Sequence, residues 1–345
     1  MEFSCAWLNG MDVLVLGGTV FLGRAVVDQA KALGADVTIF SRGHSGEVPD
    51  GVTHVVGDRT VAADLAQLAG RHFDVVIDTS GYVPAEVAHS AELLAQACGS
   101  YSFVSSINVF PGWPDATDYH TDGPHEGDSD ATRADVPSSM DDAQAYGWLK
   151  VGCELAAVRA FGADRTSVLR AGCIVGPRDS AVGRLAWWIA RVARGGEVLV
   201  PGSPADVVSL IDARDLARFA LRGAPGVFET GGPTARDTRG DLMAACQAAT
   251  GSDAQFTYVG DDWLVGQGVE PWTELPLWSP DAPSLFTHDS REAEVAGLCW
   301  RPLAATVADT WAWMRSLSGG WQPAPRTPGL PADREADLLA AWYAR

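Results

Sequence analysis

The sequence lacks the features that would place it in a membrane, on nucleic acid or in a secretory route. No apolar run is long enough to cross a bilayer. Residues 1–10 have neither the basic region nor the separate apolar region of a secretory signal. Basic residues are few, with 25 Lys and Arg against 44 Asp and Glu, and the formal net charge is −19. Such an acidic surface repels nucleic acid and anionic lipid. We therefore expect a cytoplasmic protein that acts on a small molecule, with no nucleic-acid or membrane partner.

Metal-binding patterns are also missing. The six cysteines do not pair at metal-ligand spacing, and the seven histidines are scattered. We interpret the cysteines as reduced and mostly buried, as in a cytoplasmic protein. His120 and His125 share one polar loop, which we expect to be exposed to solvent. The sequence therefore predicts no metal site.

The most informative segment lies near the start of the chain. Residues 13–16 form a short apolar strand, Gly17, Gly18 and Gly23 mark the turn that follows, and a helix is predicted from Arg24. Backbone N–H groups at such a helix start can bind a pyrophosphate, and only glycine lets the backbone approach it closely. An ordinary tight turn would share these glycines. The strand before it and the helix after it favour a dinucleotide site.

Alternating apolar strands and helical segments predict a parallel sheet covered on both faces. The fold class is thus α/β, a Rossmann-like doubly wound sheet with a smaller C-terminal substrate-binding lobe. We place the dinucleotide-binding domain at residues 11–175. Residues 176–345 form mainly the second lobe, with about 207–222 returning to the sheet. The expected strands are 13–16, 35–40, 52–57, 73–78, 101–105 and 166–169, with shorter ones at 198–200, 207–211 and 256–259. After the helix that starts at Arg24, the expected helices are 60–69, 84–97, 143–161, 182–194, 213–221, 239–249, 304–317 and 333–344.

Two segments outside the predicted sheet bear on the substrate. Residues 111–141 are rich in Pro, Gly, Asp and Ser and predict a long irregular loop, which in compact domains is often functional. Several tryptophans of the second lobe either line an apolar pocket or pack in a core, and the sequence leaves both open. They are Trp187, Trp188, Trp272 and Trp278.

Three side chains are candidates for acid–base chemistry. Tyr146 and Lys150 are four residues apart, so they share one face of a predicted helix. An ammonium beside a phenol lowers the phenol pKa, which lets the tyrosine exchange a proton with an alcohol or a carbonyl oxygen. Ser106 follows the fifth strand, at the edge where such sheets bind ligands. The alternatives are an exposed Tyr–Lys pair and a serine that only satisfies a turn.

Taken in this order, the glycine turn, the strand-end serine and the Tyr-x-x-x-Lys helix resemble the short-chain dehydrogenase/reductase superfamily. Residues 106–110 and Gly176-Pro177 are similar to its extended branch, the NAD(P)-dependent epimerase/dehydratase family. The resemblance covers roughly residues 11–317. It implies that Tyr146 is the general acid/base, that Ser106 orients the reacting oxygen, and that Lys150 binds the nicotinamide ribose. It also implies a homodimer paired through two helices.

The resemblance implies a nicotinamide dinucleotide as cofactor. An NAD enzyme usually carries an acidic residue after the second strand, where this chain has Ser41 and Arg42. These residues favour NADP, with NAD as the alternative. Asp58 is placed to meet the adenine. The expected cofactor-binding residues are Gly17, Gly18, Thr19, Val20, Phe21, Leu22, Gly23, Ser41, Arg42, Asp58, Arg59, Thr79, Ser80, Gly81, Tyr146 and Lys150.

The chain departs from the family pattern at three places that bear on the substrate. Val20 stands where the family's middle glycine is usual. Residues 170–177 lack the Asn that nucleotide-sugar epimerases carry before Gly-Pro, and residues 207–215 lack their initial Arg. The last two departures weaken the case for a nucleotide sugar.

We therefore predict an NADP(H)-dependent oxidoreductase that interconverts a carbonyl and an alcohol on a small or medium-sized metabolite. One alternative is an epimerase or dehydratase of a sugar-like substrate that retains its NAD(P). The other is a non-catalytic dinucleotide-binding protein on the same fold.

Overall fold

The computed structural model describes residues 8–180, 182–233, 236–325 and 327–345. The strands are β1 (Asp12–Leu16), β2 (Asp36–Ser41), β3 (Thr53–Val56), β4 (Phe73–Asp78), β5 (Cys98–Ser106), β6 (Thr166–Ala171), β7 (Cys173–Val175), β8 (Glu197–Pro201), β9 (Val207–Val208), β10 (Leu210–Asp212), β11 (Gly226–Thr230), β12 (Asp237–Thr238) and β13 (Gln255–Val259). The helices are α1 (Phe21–Ala32), α2 (Ala62–Leu65), α3 (Pro84–Leu94), α4 (Asp142–Phe161), α5 (Arg184–Ala193), α6 (Ala213–Leu221), α7 (Arg239–Thr250), α8 (Asp261–Gly266), α9 (Arg291–Val295), α10 (Leu303–Ser316) and α11 (Ala332–Tyr343).

Seven parallel strands form the main sheet, in the order β11-β6-β5-β4-β1-β2-β3. The chain runs outward from β1 to β3 in one direction and from β4 to β11 in the other. The order therefore reverses between β1 and β4. In open sheets of this kind, ligands bind in the crevice beyond the strand ends at the reversal point. The predicted Rossmann-like α/β fold class is confirmed.

Both faces of the sheet are covered, as the near-continuous apolar strands require. On one face the strand residues pack against α1 and α6, with Val26 and Phe219 fully buried. On the other face they pack against α3 and α4, with Val87 and Cys153 fully buried. Helix α4 is thus held along its length against the sheet. This burial fixes the helix on which Tyr146 lies.

A second apolar core belongs to the C-terminal lobe. It is built from α5, α7, α10, α11 and the parallel pair β8 and β13. Trp188 and Trp278 are part of this core, whereas Trp187 and Trp272 are partly buried against it. For the first two tryptophans, core packing is therefore what the structure shows.

The division between the two parts is not a single cut in the sequence. Strand β11 pairs with β6 at the edge of the main sheet, and α6 packs on the same sheet. Ala293 of α9 is buried in that core as well. Residues far beyond 176 therefore support the sheet, and they include more than the segment 207–222.

Several predicted bounds differ from the structure. Helix α1 begins at Phe21 rather than Arg24, because Phe21 adopts a φ of +37° that turns the chain directly into the helix. The predicted strand at 207–211 is divided between β9 and β10, which pair with different strands. The sequence analysis did not identify β7, β11, β12, α8 or α9.

In the described part of the chain, no helix combines the length and the apolar character needed to cross a membrane.

Trp188→Ala should destabilise the C-terminal lobe. The indole is fully buried, and its Nε1 donates to the carbonyl of Pro276 at 2.7 Å. We expect the free energy of unfolding in urea to fall by about 3–5 kcal/mol, since the change leaves both a cavity and an unpaired carbonyl. Val295→Ala is the matched control because Val295 is 92% exposed. A loss no larger than that of the control would contradict the assignment of Trp188 to the core.

Candidate functional site

The glycine turn after β1 brings the backbone close to the end of β4. A Cβ atom on Gly17 would lie 2.6 Å from Thr79 Oγ1, and one on Gly23 would lie 2.6 Å from the backbone nitrogen of Gly18. The missing side chain of Gly17 therefore lets the turn approach the end of β4, and that of Gly23 lets α1 pack against the turn. Within the described residues, α1 has neither a side-chain cap nor an acidic residue in its first turn. Its first backbone N–H groups can therefore bind an anion.

Two adjoining cavities of about 480 Å³ and 390 Å³ run along this turn. The larger one extends from the turn to Tyr146 and Lys150, and the smaller one reaches Arg42 and Asp58. Together they make a cleft that suits an elongated ligand. Residues common to both are Gly17, Thr19, Val20, Ser45, Ser80 and Tyr82.

Most of the predicted cofactor residues line this cleft. Phe21, Leu22, Gly18, Gly23 and Thr79 face the larger cavity, while Ser41 and Arg59 face the smaller one. Val20 is 40% exposed between the two. The backbone approaches its neighbours most closely at Gly17 and Gly23, so the Val20 side chain does not block the cleft. Gly81 contributes its carbonyl oxygen, which accepts a hydrogen bond from Lys150.

At the far end of the smaller cavity, polar groups are already arranged. Asp58 accepts hydrogen bonds from the backbone and hydroxyl of Thr60, which lower the pKa of its carboxyl. The hydroxyl of Ser41 is hydrogen bonded to His54 Nε2 at 3.0 Å. Arg42 is exposed beside Asp58. This end therefore presents an arginine and a carboxylate whose charge is stabilised.

Arg59 lines the smaller cavity, but its guanidinium is directed to Asp78. Its guanidinium makes a bidentate pair with the fully buried Asp78, at 3.0 and 2.9 Å. Tyr101 also donates to Asp78, at 2.7 Å. Burial is the largest single influence and acts to raise the pKa of Asp78, but the charge of Arg59 and the hydrogen bonds from Arg59, Tyr101 and the Ser80 backbone together lower it. The pair links the loop after β3 to the end of β4.

Lys150 is buried at the inner end of the larger cavity. Its Nζ donates to the carbonyls of Gly81 and Val104 at 2.9 and 2.8 Å, and it lies 4.9 and 4.8 Å from the ring centroids of Tyr82 and Phe103. Burial lowers the pKa of Lys150, while nearby anionic groups oppose this change. The ammonium is therefore fixed in place by the ends of β4 and β5.

Tyr146 and Ser106 meet across α4 and β5. Ser106 lies close enough to Tyr146 to act on the pKa of its phenol. Ser106 Oγ also donates to Asn108 Oδ1 at 2.9 Å and accepts from the Asn108 backbone at 3.2 Å. Helix α4 begins with a capping box at Asp141, which sets where its first turn starts. The structure therefore brings together the three residues that the sequence pattern selected.

One expectation about this centre is wrong. We expected Lys150 to lower the pKa of Tyr146, yet burial of the phenol raises that pKa, and of the neighbouring groups Ser106 is the one that acts to lower it. The physical reason is that the Lys150 ammonium is engaged by two carbonyls and lies 5.9 Å from the Tyr146 ring centroid.

The sequence analysis missed a group of buried charges beside the site. Glu154 accepts hydrogen bonds from Ser105 at 2.5 Å and from Arg170 at 2.7 and 3.1 Å. No sequence pattern predicts the whole group, because its members are distant in the chain and charged residues are ordinarily exposed. Glu154 alone could have been suspected, because it lies four residues after Lys150 on the same helix face.

Of the two loop histidines, His120 is exposed as expected, but both also contact other parts of the protein. His120 Nε2 is 2.5 Å from Glu229 Oε1, and the neighbouring Tyr119 donates to the other oxygen of Glu229 at 2.7 Å. His125 is partly buried, and burial lowers its pKa. The two residues are therefore not a simple exposed pair. Residues 111–141 pack onto the edge of the sheet through Glu229.

The cysteines follow the expectation where they are described. Those at 98, 153, 173 and 246 are buried and free, and Cys299 is free and exposed. Cys5 lies outside the described residues. Among the described residues, no group of three or more His, Cys, Asp or Glu side chains could hold a metal ion.

Comparison with known families gives a match over most of this site. The sequence model of the NAD-dependent epimerase/dehydratase family matches residues 13–225. The chain belongs to this family. Membership of an enzyme family favours an enzyme over a non-catalytic dinucleotide-binding protein. A comparison with curated proteins finds no match.

Solved structures of this epimerase/dehydratase family share the fold. The UDP-glucose 4-epimerase of Thermotoga maritima, solved with UDP-glucose, is 21% identical with a TM-score of 0.59, covering 88% of this chain and 99% of that one. The Thermus thermophilus UDP-glucose 4-epimerase, solved with NAD, is 18% identical with a TM-score of 0.61, covering 89% of this chain and 100% of that one. WbmG of Bordetella bronchiseptica, solved with NAD and UDP, is 16% identical with a TM-score of 0.63, covering 89% of this chain and 96% of that one.

Ser106→Ala should raise the pKa of Tyr146 further in this family member. Ser106 is the neighbouring group that acts to lower the Tyr146 pKa, so without its hydroxyl the phenolate forms only at higher pH. NMR of isotope-labelled tyrosine follows the titration, and Tyr146→Phe assigns the signal. Ser316→Ala is the control, since Ser316 is exposed on α10. An unchanged or lower titration midpoint would contradict the contact.

Proposed function

We propose that the chain is an NADP(H)-dependent oxidoreductase that interconverts a carbonyl and an alcohol on a small or medium-sized metabolite. One observation carries the proposal. Tyr146 and the buried Lys150 line the same cavity as the glycine turn, and Ser106 lies next to Tyr146 at the end of β5. A proton-transfer group is thus adjacent to a dinucleotide-sized space.

The cleft fits the expected cofactor. The uncapped start of α1 can hold the pyrophosphate, and the two joined cavities offer room on either side of it. Lys150 uses two of its three donors on Gly81 and Val104, which leaves one for a ribose hydroxyl. When bound, the nicotinamide supplies or accepts the hydride.

The protein's own residues handle the proton. Tyr146 carries it at Oη, close to the place of the reacting oxygen, and Ser106 donates a hydrogen bond to that oxygen. Because burial raises the Tyr146 pKa, the phenol is protonated at neutral pH in the free enzyme. This state suits donation to a carbonyl that is being reduced.

The choice of NADP rests on the smaller cavity. Arg42 lies at its edge, and among described residues 41–45 after β2 there is no carboxylate to pair with a ribose 2′-hydroxyl. An arginine beside this position suits a 2′-phosphate. Two of the similar structures contain NAD, which keeps NAD as the alternative.

An epimerase of a sugar-like substrate, with its cofactor retained, is the second candidate. The family match and the UDP-glucose 4-epimerases among similar structures favour it. In such an enzyme Tyr146 and Ser106 keep the same roles, but the hydride returns to the substrate. Val207 begins the segment where nucleotide-sugar epimerases carry an arginine, and its side chain has no charge to hold a diphosphate. That substitution argues against a nucleotide diphosphate.

A panel of aldehydes and ketones with NADPH separates the two candidates. We expect net loss of the reduced-nicotinamide absorbance with at least one carbonyl, and a rate about 10²–10⁴-fold lower in Tyr146→Phe, which lacks the proton donor. Tyr343→Phe is the control, since Tyr343 is 66% exposed on α11. Purification with bound NAD, together with no net consumption of NADPH, would favour the epimerase.

Arg42→Ala should weaken NADPH binding by about tenfold or more and leave NADH binding nearly unchanged. The side chain would lose one charge-assisted contact with the 2′-phosphate, which NADH lacks. Fluorescence titration of both dinucleotides measures the effect, with Arg315→Ala on α10 as the control. Equal affinities for NADPH and NADH in the unaltered protein would refute the NADP preference and leave the fold untouched.

A further inference from the structure

Glu154 lies on the helix that carries the proposed proton donor. Tyr146, Lys150 and Glu154 follow one another at intervals of four residues, so they share one face of α4. Glu154 is 5% exposed, and its side chain turns toward the sheet rather than toward solvent. A buried carboxylate in such a place needs partners to hold its charge.

The partners of Glu154 come from two neighbouring strands. Ser105 of β5 donates to Oε1 at 2.5 Å, and Arg170 of β6 donates to Oε1 at 3.1 Å and to Oε2 at 2.7 Å. Ser105 and Arg170 are paired in register across the sheet. The guanidinium also lies 5.1 Å from the ring centroid of Phe110. One carboxylate therefore joins α4 to the ends of β5 and β6.

The same strand end carries the other half of the reactive centre. Ser106 follows Ser105 directly, and the carbonyl of Val104 accepts from Lys150 at 2.8 Å. Any shift of α4 along β5 changes the distance from Tyr146 to Ser106 and the place of the Lys150 ammonium. Misplacing reacting groups by about 1 Å can cost on the order of 100-fold in rate.

We propose that Glu154 is a positioning residue of this centre. Its carboxylate is hydrogen bonded to Ser105 and Arg170, and this contact, here called the Glu154 lock, holds α4 against the strand end that carries Ser106. It thereby places Tyr146 and Lys150 against the cofactor cleft. The effect of the Glu154 lock on catalysis rests on the proposed function. The contact between Glu154, Ser105 and Arg170 is independent of that function.

The lock also bears on the charge of Lys150. The titratable groups that face this ammonium are Tyr82, Tyr146, Cys153, Asp78 and Glu154. Of the two carboxylates, Asp78 is paired with Arg59 and Glu154 with Arg170. Burial lowers the pKa of Lys150 most, and Glu154 acts to raise it. Removal of the Glu154 charge should therefore lower the Lys150 pKa.

The composition of the chain makes this change directly measurable. Only two of the 25 basic residues are lysines, Lys31 and Lys150. Lys31 is exposed on α1, where it donates to the carbonyl of Asp50. NMR of isotope-labelled lysine therefore yields two side-chain signals, one from the site and one internal reference. This readout needs neither substrate nor cofactor.

Two variants separate charge from position. Glu154→Gln keeps the shape and removes the charge, whereas Glu154→Asp keeps the charge but shortens the reach to Ser105 and Arg170. We expect only Glu154→Gln to move the Lys150 titration to lower pH. We expect both to weaken NADPH binding by on the order of tenfold, the loss of about one charge-assisted hydrogen bond. If Glu154→Gln does not fold, Glu154→Asp carries the test through NADPH binding.

The second lobe offers a matched control. Glu335 of α11 is equally buried and pairs with Arg191 of α5 at 2.6 Å, away from the cleft. Glu335→Gln and Glu335→Asp should leave the Lys150 titration and NADPH binding unchanged, although they remove a pair of the same kind. Thermal denaturation of all four variants reports the stability change. A purely structural role for Glu154 would make the two sets of variants behave alike.

The outcomes distinguish this proposal from the proposed function. An unchanged Lys150 titration in Glu154→Gln, with NADPH affinity in both Glu154 variants equal to that of the controls, overturns the proposal. If the unaltered chain binds neither NADPH nor NADH, the proposed function fails. The Lys150 titration then decides alone, since its shift supports the lock and its absence refutes it.

Discussion

The burial of the Lys150 ammonium is the constraint around which the cleft is organised. An isolated charge in a protein interior is costly, so its surroundings must stabilise it. Two backbone carbonyls accept hydrogen bonds from it, and two aromatic rings lie against it. These contacts come from the loop after β4 and from the end of β5, while helix α4 carries Lys150 itself. Keeping Lys150 charged therefore requires all three to be in position.

The two carboxylates nearest this ammonium are themselves neutralised by arginines. Asp78 is held by Arg59, and Glu154 is held by Arg170. Buried pairs of this kind add little net stability, but loss of one partner leaves an unpaired charge that costs about 3–5 kcal/mol. Their bidentate geometry fixes direction as well as distance. The Asp78 pair thus supports the smaller cavity, which Arg59 lines, and the Glu154 pair supports the larger cavity, which Ser105 and Lys150 line.

The sequence predicted the parts of this arrangement that are local. Strand β4 and helix α6 have the predicted bounds, because each is a clear apolar pattern with a sharp end. The spacing of Tyr146 and Lys150 also places them on one face without any knowledge of the fold. Strand β11 was missed because it is a short edge strand whose partner, β6, lies far earlier in the chain. The supports under the cleft escaped for a related reason. Their charged members meet only after the sheet forms, and a charged residue in a single sequence reads as exposed.

Burial moves the two groups of the reactive centre in opposite directions. It raises the pKa of Tyr146, whose charged form is the anion, and lowers that of Lys150, whose charged form is the cation. Both changes favour neutral groups and so oppose the phenolate–ammonium pair that alcohol oxidation needs. Carbonyl reduction starts instead from the neutral phenol that burial already favours. The free site is therefore arranged as a proton donor, and its use as a base depends on further positive charge near Tyr146.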